Sequence, residues 1–343
     1  MINQLTGLPV LDEGFVRVAP LLGLEEAIGS RGLSLQETVE EAGLPADVFR
    51  NPENAISLVD AERLLNLAAQ RTGCAHIGIL MGRDRGLSTL GVIGRAARKA
   101  RDAGAALRGI IVALHMHDRT TVPSLEVADR IATLSIVSLS QGGEGAAVVA
   151  DLTMMVCFNI MRDLCGPAWR PRQVRLARRR PGAVQPYADV FGRRPVFDAD
   201  FNALEFDAAW LRRPLPAGAD RPEEVFDDVT PSRPPLDIAS QVRRACVRAL
   251  IEGNASVVGL AARLNCSHRT LNRRLAPLGT TARTELRTAR VLVAQQLLAA
   301  TGLSITHIAG LLGYSDAGAF TRAFQRSTGI CPSDWRHQRS SNG

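Results

Sequence analysis

Apolar residues recur at helical spacing most clearly toward the C-terminal end of the chain. Leu260, Ala261, Leu264, Leu271 and Leu275 share one face of two short runs, and this spacing predicts a pair of helices. Asn265-Cys266-Ser267 separates them. Asn tolerates the left-handed backbone of a tight turn, and Ser267 is placed to cap the helix that follows. That helix, residues 268–275, is apolar on one side and carries Arg269, Asn272 and Arg273 on the other. The plan then repeats. Ile308, Ala309 and Leu312 lead into Gly313-Tyr314-Ser315-Asp316, and a further helix turns Phe320, Ala323 and Phe324 inward with Thr321, Arg322 and Arg326 outward. Between the two units, residues 281–300 form a longer amphipathic run with Leu286, Val293, Leu297 and Leu298 on its apolar side.

Upstream the two periods are mixed. Residues 1–24 read as a loosely structured lead. Short helices follow to residue 71, one opened by Pro45 and one carried by the apolar stripe of residues 59–69, which Gly73 stops. Residues 75–81 and 87–93 frame a glycine-rich patch, and 93–114 return to helical spacing. The β-branched, partly alternating stretches 119–127 and 130–139 predict strands. Gln141-Gly142-Gly143-Glu144-Gly145 is a turn and 146–164 a long helix. From 174 to 215 the pattern is strand-like again, at 173–177, 196–197 and 203–206. Residues 25–211 thus read as an α+β domain, without the run of regular short strands that a barrel demands.

Residues 212–235 divide the chain. Six prolines (214, 216, 222, 231, 234 and 235) alternate there with Glu223, Glu224, Asp227 and Asp228, a composition that breaks helices and stiffens a spacer. Residues 236–343 are then an all-α domain with two helix–turn–helix units joined by a linker helix. A chain of 343 residues is long enough for both domains to bury a core.

Charge follows the same division. Residues 236–343 hold 14 Arg against 5 acidic residues, +9; the rest of the chain balances to −2, giving the net +7. The basic charge therefore sits with the repeated units, as a phosphate-binding surface requires. Lys99 is the one lysine in the chain, an imbalance that reads as codon usage, not chemistry. The six cysteines (74, 157, 165, 246, 266 and 331) have no paired spacing, and no secretory leader is evident, which reads as free thiols in a reducing cytoplasm. Residues 145–161 are the most membrane-like stretch, but Asp151 and Asn159 interrupt it.

Other candidate chemistry does not assemble. His115 and His117 have no Cys or His partner at metal-ligand spacing. Gly91, Gly94 and Lys99 lack the spacing of a phosphate loop, and no Gly-x-Ser-x-Gly elbow is present. Cys157 and Cys165 read as small hydrophobes on a helix. An enzyme has no anchor here.

Several stretches carry a resemblance. Leu-Ala-Ala-Arg-Leu-Asn-Cys-Ser-His-Arg-Thr-Leu-Asn-Arg-Arg-Leu (260–275), Gly-Thr-Thr (279–281), Ser-Ile-Thr-His-Ile-Ala-Gly-Leu-Leu-Gly-Tyr-Ser-Asp (304–316) and Ala-Phe-Thr-Arg-Ala-Phe-Gln-Arg-Ser-Thr-Gly-Ile-Cys-Pro-Ser-Asp-Trp-Arg (319–336) are similar to the C-terminal DNA-binding domain of the AraC/XylS family of bacterial transcription regulators. The chain departs at Ala282, where that family usually has an aromatic, at His307, where it has a glutamate, and at Gly318, where it has a larger polar side chain. The first two imply looser packing and a weaker helix start. Arg172-Gln173-Val174-Arg175-Leu176 and Phe191-Gly192-Arg193-Arg194-Pro195-Val196-Phe197, followed by Asn202 and Leu204, resemble the N-terminal domain of the subgroup that includes ornithine-utilisation and virulence regulators. That resemblance implies a sensing fold other than the jelly-roll sugar pocket of the family's namesake.

The resemblance places DNA contacts at His268, Arg269, Asn272, Arg273 and Arg274 in the first unit and at Ala317, Gly318, Thr321, Arg322 and Arg326 in the second. Arg reads guanine and Asn reads adenine through two hydrogen bonds each, whereas Ala317, Gly318 and Ala319 offer no side-chain donor. The first unit is therefore expected to supply most base discrimination. A connector of about 20 residues is about 30 Å long, close to the ~34 Å between successive major-groove faces. The implied protein is a cytoplasmic regulator, more often an activator than a repressor. It binds double-stranded promoter DNA and a small-molecule effector, dimerises through residues 25–211, and works with RNA polymerase, without cofactor or metal. An alternative keeps the DNA binding and gives the N-terminal domain protein association alone. A large apolar pocket would favour effector control, and a solid core with an exposed apolar patch would favour association.

Overall fold

The computed structural model describes residues 14–140, 145–216, 238–264 and 266–340. The lead to residue 13, the turn at 141–144, the turn residue Asn265 and most of the proline-rich spacer lie outside the described residues. Residues 15–24, expected to belong to a loose lead, are ordered: β1 (Phe15–Arg17) pairs antiparallel with β2 (Ala55–Ser57), and Val18, Ala19 and Leu24 are fully buried. Alternation is too short there to be read from sequence; burial supplies the order.

Between these strands lie α1 (Leu24–Gly29) and α2 (Leu35–Glu41), and after them α3 (Leu58–Thr72). Ser34 and Ser57 start α2 and α3 by accepting the N–H of the residue three further on, and Gly73 ends α3 at φ +63°. Pro45 precedes only a 3₁₀ turn, Val48–Arg50, and not the helix expected. α4 (Ile77–Gly82) follows, then α5 (Gly91–Arg98) and α6 (Ala103–Ala113). The single helical run expected over 93–114 is thus two helices. Asp102 restarts the chain, its carboxylate accepting Ala105 N–H at 2.7 Å.

β3 (Thr121–Ala128) and β4 (Ile131–Ser138) form a hairpin whose two-residue loop, Asp129-Arg130, has positive φ at both positions. That backbone matches the twist of the flanking strands. α7 (Ala146–Cys165) is the long helix, followed by β5 (Gln173–Arg175), α8 (Gln185–Phe191) and β6 (Asn202–Asp207). The strands expected near 173–177 and 203–206 are β5 and β6, and Val196 bridges to Arg175; the helix α8 between them was not expected. The sheet runs β3-β4-β6-β5, antiparallel throughout, with Ala132, Leu134, Ile136, Leu204 and Phe206 on the face packed in one core with α7. α4 lies so close to α7 that a Cβ on Gly78 would stand 2.3 Å from the Val148 carbonyl oxygen, so only glycine fits. Among the described residues no helix is long and apolar enough to cross a membrane.

The C-terminal region is helical: α9 (Ile238–Ile251), α10 (Val257–Arg263), α11 (His268–Leu275), α12 (Ala282–Ala300), α13 (Ile305–Leu311), α14 (Ala317–Thr328) and α15 (Pro332–Ser340). α12, expected to show one apolar side, is buried around most of its circumference. The reason is that α9, α15 and both helix pairs pack around it. Its buried Glu285 is paired with Arg243 at 3.1 Å and accepts the Thr280 hydroxyl at 2.7 Å. Ala282, where an aromatic was the familiar residue, is fully buried in this packing.

Candidate nucleic-acid interface

Each helix pair starts its second helix with a side-chain cap. Ser267 Oγ accepts the Thr270 N–H at 3.1 Å, and Asp316 Oδ1 accepts the Ala319 N–H at 2.7 Å. The Ala319 N–H, and then the Ser315 hydroxyl, hold the Asp316 carboxyl below the usual carboxylate range, so the cap stays ionised. Leu271, Leu275, Phe320 and Phe324 are buried beneath the two helices, which fixes the faces turned outward. His268, Arg269, Arg273 and Arg274 are exposed on α11, and Gly318, Arg322 and Arg326 on α14; Asn272, Ala317 and Thr321 are half-buried.

Asn272 is engaged within the protein. Its Oδ1 accepts the Ala282 N–H at 3.0 Å, at the start of α12, and its Nδ2 lies 2.8 Å from His268 Nε2. Two hydrogen bonds to adenine would need the same atoms. The second helix is smoother. Thr321 donates its hydroxyl to the Ala317 carbonyl at 2.8 Å, and a Cβ at Gly318 would stand 3.3 Å from Arg322 Nη1, so glycine leaves room for that arginine beside the helix. α12, 19 residues long, spans about 28 Å between the pairs.

Residues 32–215 match the family described as the arabinose-binding domain of AraC transcription regulator, N-terminal, and residues 260–338 match a helix-turn-helix domain family. The chain belongs to the AraC family of transcription regulators. It is similar to the ornithine utilization regulator of Pseudomonas aeruginosa, 28% identical over 94% of this chain and 96% of that protein. Similarity to the transcriptional regulator VirS of Mycobacterium tuberculosis is 25% over the same shares. The transcriptional activator RhaR of Salmonella arizonae is 40% identical over 73 residues, 21% of this chain and 26% of that protein. As in these regulators, the helix–turn–helix region makes this chain a DNA-binding regulator, not an enzyme.

The AraC-type N-terminal domain also holds a site that the sequence did not reveal. A cavity of about 120 Å³ lies between α6, α7 and the β3–β4 hairpin. Leu107, Ile110, Ile111 and Leu114 line it from α6, and Val149, Thr153, Val156, Cys157 and Ile160 from α7. Burial, then the charge of Asp118, pushes the Cys157 thiol up to about 12, so this cysteine lines the wall as a neutral thiol. At one margin Arg17, itself buried, donates to the Thr89 carbonyl at 3.1 Å, meets His117 Nδ1 at 2.6 Å and pairs with Glu53. Asp118 there accepts the N–H and the hydroxyl of Thr120, both at 2.6 Å, and the hydroxyl of Thr121. Among the described residues no cluster of His, Cys, Asp or Glu could hold a metal ion. The sequence signals for this site were two helical stripes, 107–114 and 149–160; what brings them together with residues from segments far apart in the chain is the fold.

The hairpin that walls the cavity also touches the DNA-binding region. Thr121, Pro123, Leu134 and Ile136 line the cavity, while Val122 and its cross-strand partner Val137 point the other way, into a core shared with Val242 and Cys246 of α9. Arg244 of α9 donates to the carbonyls of Arg119 at 3.1 Å and Thr121 at 2.6 Å, and Ser124 donates to Glu252 at 3.0 Å. A second junction involves the loop before β6. Asp198, at φ +55°, accepts the Gly302 N–H at 2.6 Å, and Asp200 Oδ1 lies 2.5 Å from His307 Nε2. A glutamate at 307, the residue expected from the AraC resemblance, would face Asp200 with a like charge. Nor is the helix start weakened, because Ser304 Oγ accepts the His307 N–H at 3.1 Å.

Proposed function

We propose that this regulator is a transcriptional activator controlled by a small molecule held in the N-terminal cavity. The observation that carries the reading is that β3 belongs to two walls at once: its alternate residues line the cavity and pack on α9. An occupant that fits one placement of β3 better than another thereby favours one placement of α9, which is the differential affinity that effector control requires. An N-terminal domain used for association alone has no need of such a cavity.

In this reading Arg269 and Arg273 supply most base discrimination, and His268, Arg274, Arg322 and Arg326 anchor phosphates beside them. Asn272 contributes chiefly by fixing the first unit to the connector. Ala317, Gly318 and Thr321 pass close to the groove with methyl and backbone contacts. Two chains associate through the N-terminal domain and bring the helix pairs to repeated half-sites, where contact with RNA polymerase raises transcription. The similarity to RhaR, a transcriptional activator, supports that sign. Footprinting of the full chain on its neighbouring promoter, with in vitro transcription in the presence and absence of pooled metabolites, tests the reading. Binding that weakens steeply with salt and transcription that rises with one pool support it. Footprint and transcription indifferent to every pool overturn effector control.

A further inference from the structure

The cavity constrains its occupant by size and by polarity. Its volume, about 120 Å³, is somewhat below the ~150 Å³ of an engineered apolar cavity that takes benzene, so it encloses about six non-hydrogen atoms, and about one or two more can stand at its margin. Most of the wall is aliphatic. Most polar side chains at the margin are already bonded to one another or to backbone: Thr89 donates to the Gly86 carbonyl, Thr120 and Thr121 to Asp118, and Arg17 to the Thr89 carbonyl and Glu53. A sugar, hydroxylated at most of its carbons, or a diamino acid with three charged groups would leave most of its polar groups desolvated without partners.

Resting on the reading of the cavity as the effector site, we infer that the effector is a small, largely apolar molecule of one ring or a short branched chain. It carries a single hydrogen-bond donor, directed at the Thr120–Thr121 margin, where the Asp118 carboxylate keeps acceptor capacity beyond the three bonds it receives from the two threonines. Thr153, half-buried on α7, stands at the cavity's edge, and Ala61 of α3 lies fully buried in its wall. These two positions allow the site to be filled from two sides. Val112, exposed on α6, points away from it and serves as a control.

The test is fluorine NMR of 4-fluorophenol and fluorobenzene with the full chain, with L-arabinose and L-ornithine as competitors. Both aromatic probes broaden saturably, 4-fluorophenol binding at least threefold tighter. Neither competitor displaces them at tenfold excess. Thr153→Phe and Ala61→Leu each weaken probe binding at least tenfold while keeping a cooperative thermal transition, and Val112→Ala leaves it unchanged. Displacement by arabinose or ornithine overturns the ligand class, as does equal probe binding by both filled variants. If the probes bind as expected but promoter affinity does not respond to any occupant, the ligand class stands and effector control fails. If a different metabolite changes promoter affinity in a filled variant as strongly as in the natural chain, control stands and this ligand class is overturned.

Discussion

Thr121 and Arg244 meet across the junction of the two regions: the threonine lines the cavity, and its carbonyl oxygen receives the Arg244 guanidinium at 2.6 Å. Burial pulls Arg244 below the ordinary arginine range, with Arg248 and Arg119 adding to the shift and Asp118 opposing it. Arg244→Ala is therefore expected to remove the hydrogen-bonded tie between β3 and α9 while Val122 stays packed on Val242 and Cys246. An effector response of about 5–150-fold in promoter affinity, the usual range for coupled sites, falls several-fold, while effector-free affinity changes only a few-fold. Stability falls by about 1–3 kcal/mol because two carbonyls lose a partner. Gel retardation with and without effector measures the first outcome, and an undiminished response refutes the tie.

Asn272 and Arg269 share a helix but should fail differently when truncated. Asn272→Ala removes the bond to the Ala282 N–H and should lower stability by about 1 kcal/mol, weakening all DNA sequences alike. Arg269→Ala, at an exposed position, should leave stability within about 0.5 kcal/mol and instead flatten discrimination at one base pair by about 1–3 kcal/mol. Thermal melts and binding to single-base operator variants separate the two. A loss of adenine preference in Asn272→Ala, without loss of stability, would show that the asparagine leaves its cap to read DNA.

Local patterns made the C-terminal region readable. Leu260, Leu271, Phe320 and Phe324 repeat at helical spacing, and Ser267 caps the helix that its position announced. Long apolar runs such as α7 and the β3–β4 hairpin were equally plain. What stayed hidden depends on contacts between distant segments. β1 is only three residues long and exists because β2 pairs with it, and α12 is buried around most of its circumference because α9, α10, α11, α13 and α15 converge on it. The cavity is hidden for the same reason, since Arg17, Thr89 and His117 come together only in the fold. The capping role of Asn272 needed Ala282 brought to it across ten residues.

The two reading helices should contribute unequally. α11 presents exposed Arg269 and Arg273, whereas α14 offers Ala317, Gly318 and Ala319 before its first exposed long side chain, Arg322. Across a tiled set of operator mutants, changes under α11 should cost about 1–3 kcal/mol each and those under α14 less than about 1 kcal/mol. Arg322→Ala should then weaken binding nearly uniformly and reduce the salt slope by about one phosphate contact. Equal penalties in both half-sites would overturn the asymmetry.

Asp151 sets a pH dependence in the N-terminal domain. It is fully buried on α7, where Oδ2 accepts from Arg178 and from the Tyr187 hydroxyl at 2.6 Å, while Oδ1 has no hydrogen-bond partner. Desolvation outweighs these favourable contacts and raises its pKa from 3.8 to about 6. Below the lower value the carboxyl is protonated in folded and unfolded chains alike. Between the two the folded chain holds a proton that the unfolded chain releases. The stability contributed by that proton is therefore fully present at the acid end and lost as pH rises through about 6, a change of up to about 3 kcal/mol. Asp151→Asn should flatten this slope, since an amide does not titrate. It should also lower stability at neutral pH, because Arg178 would keep its buried charge without a carboxylate partner. Urea unfolding at a series of pH values, followed through the buried Trp169, measures both effects. An unchanged slope between about pH 4 and pH 6 in the variant would assign the titration to another group.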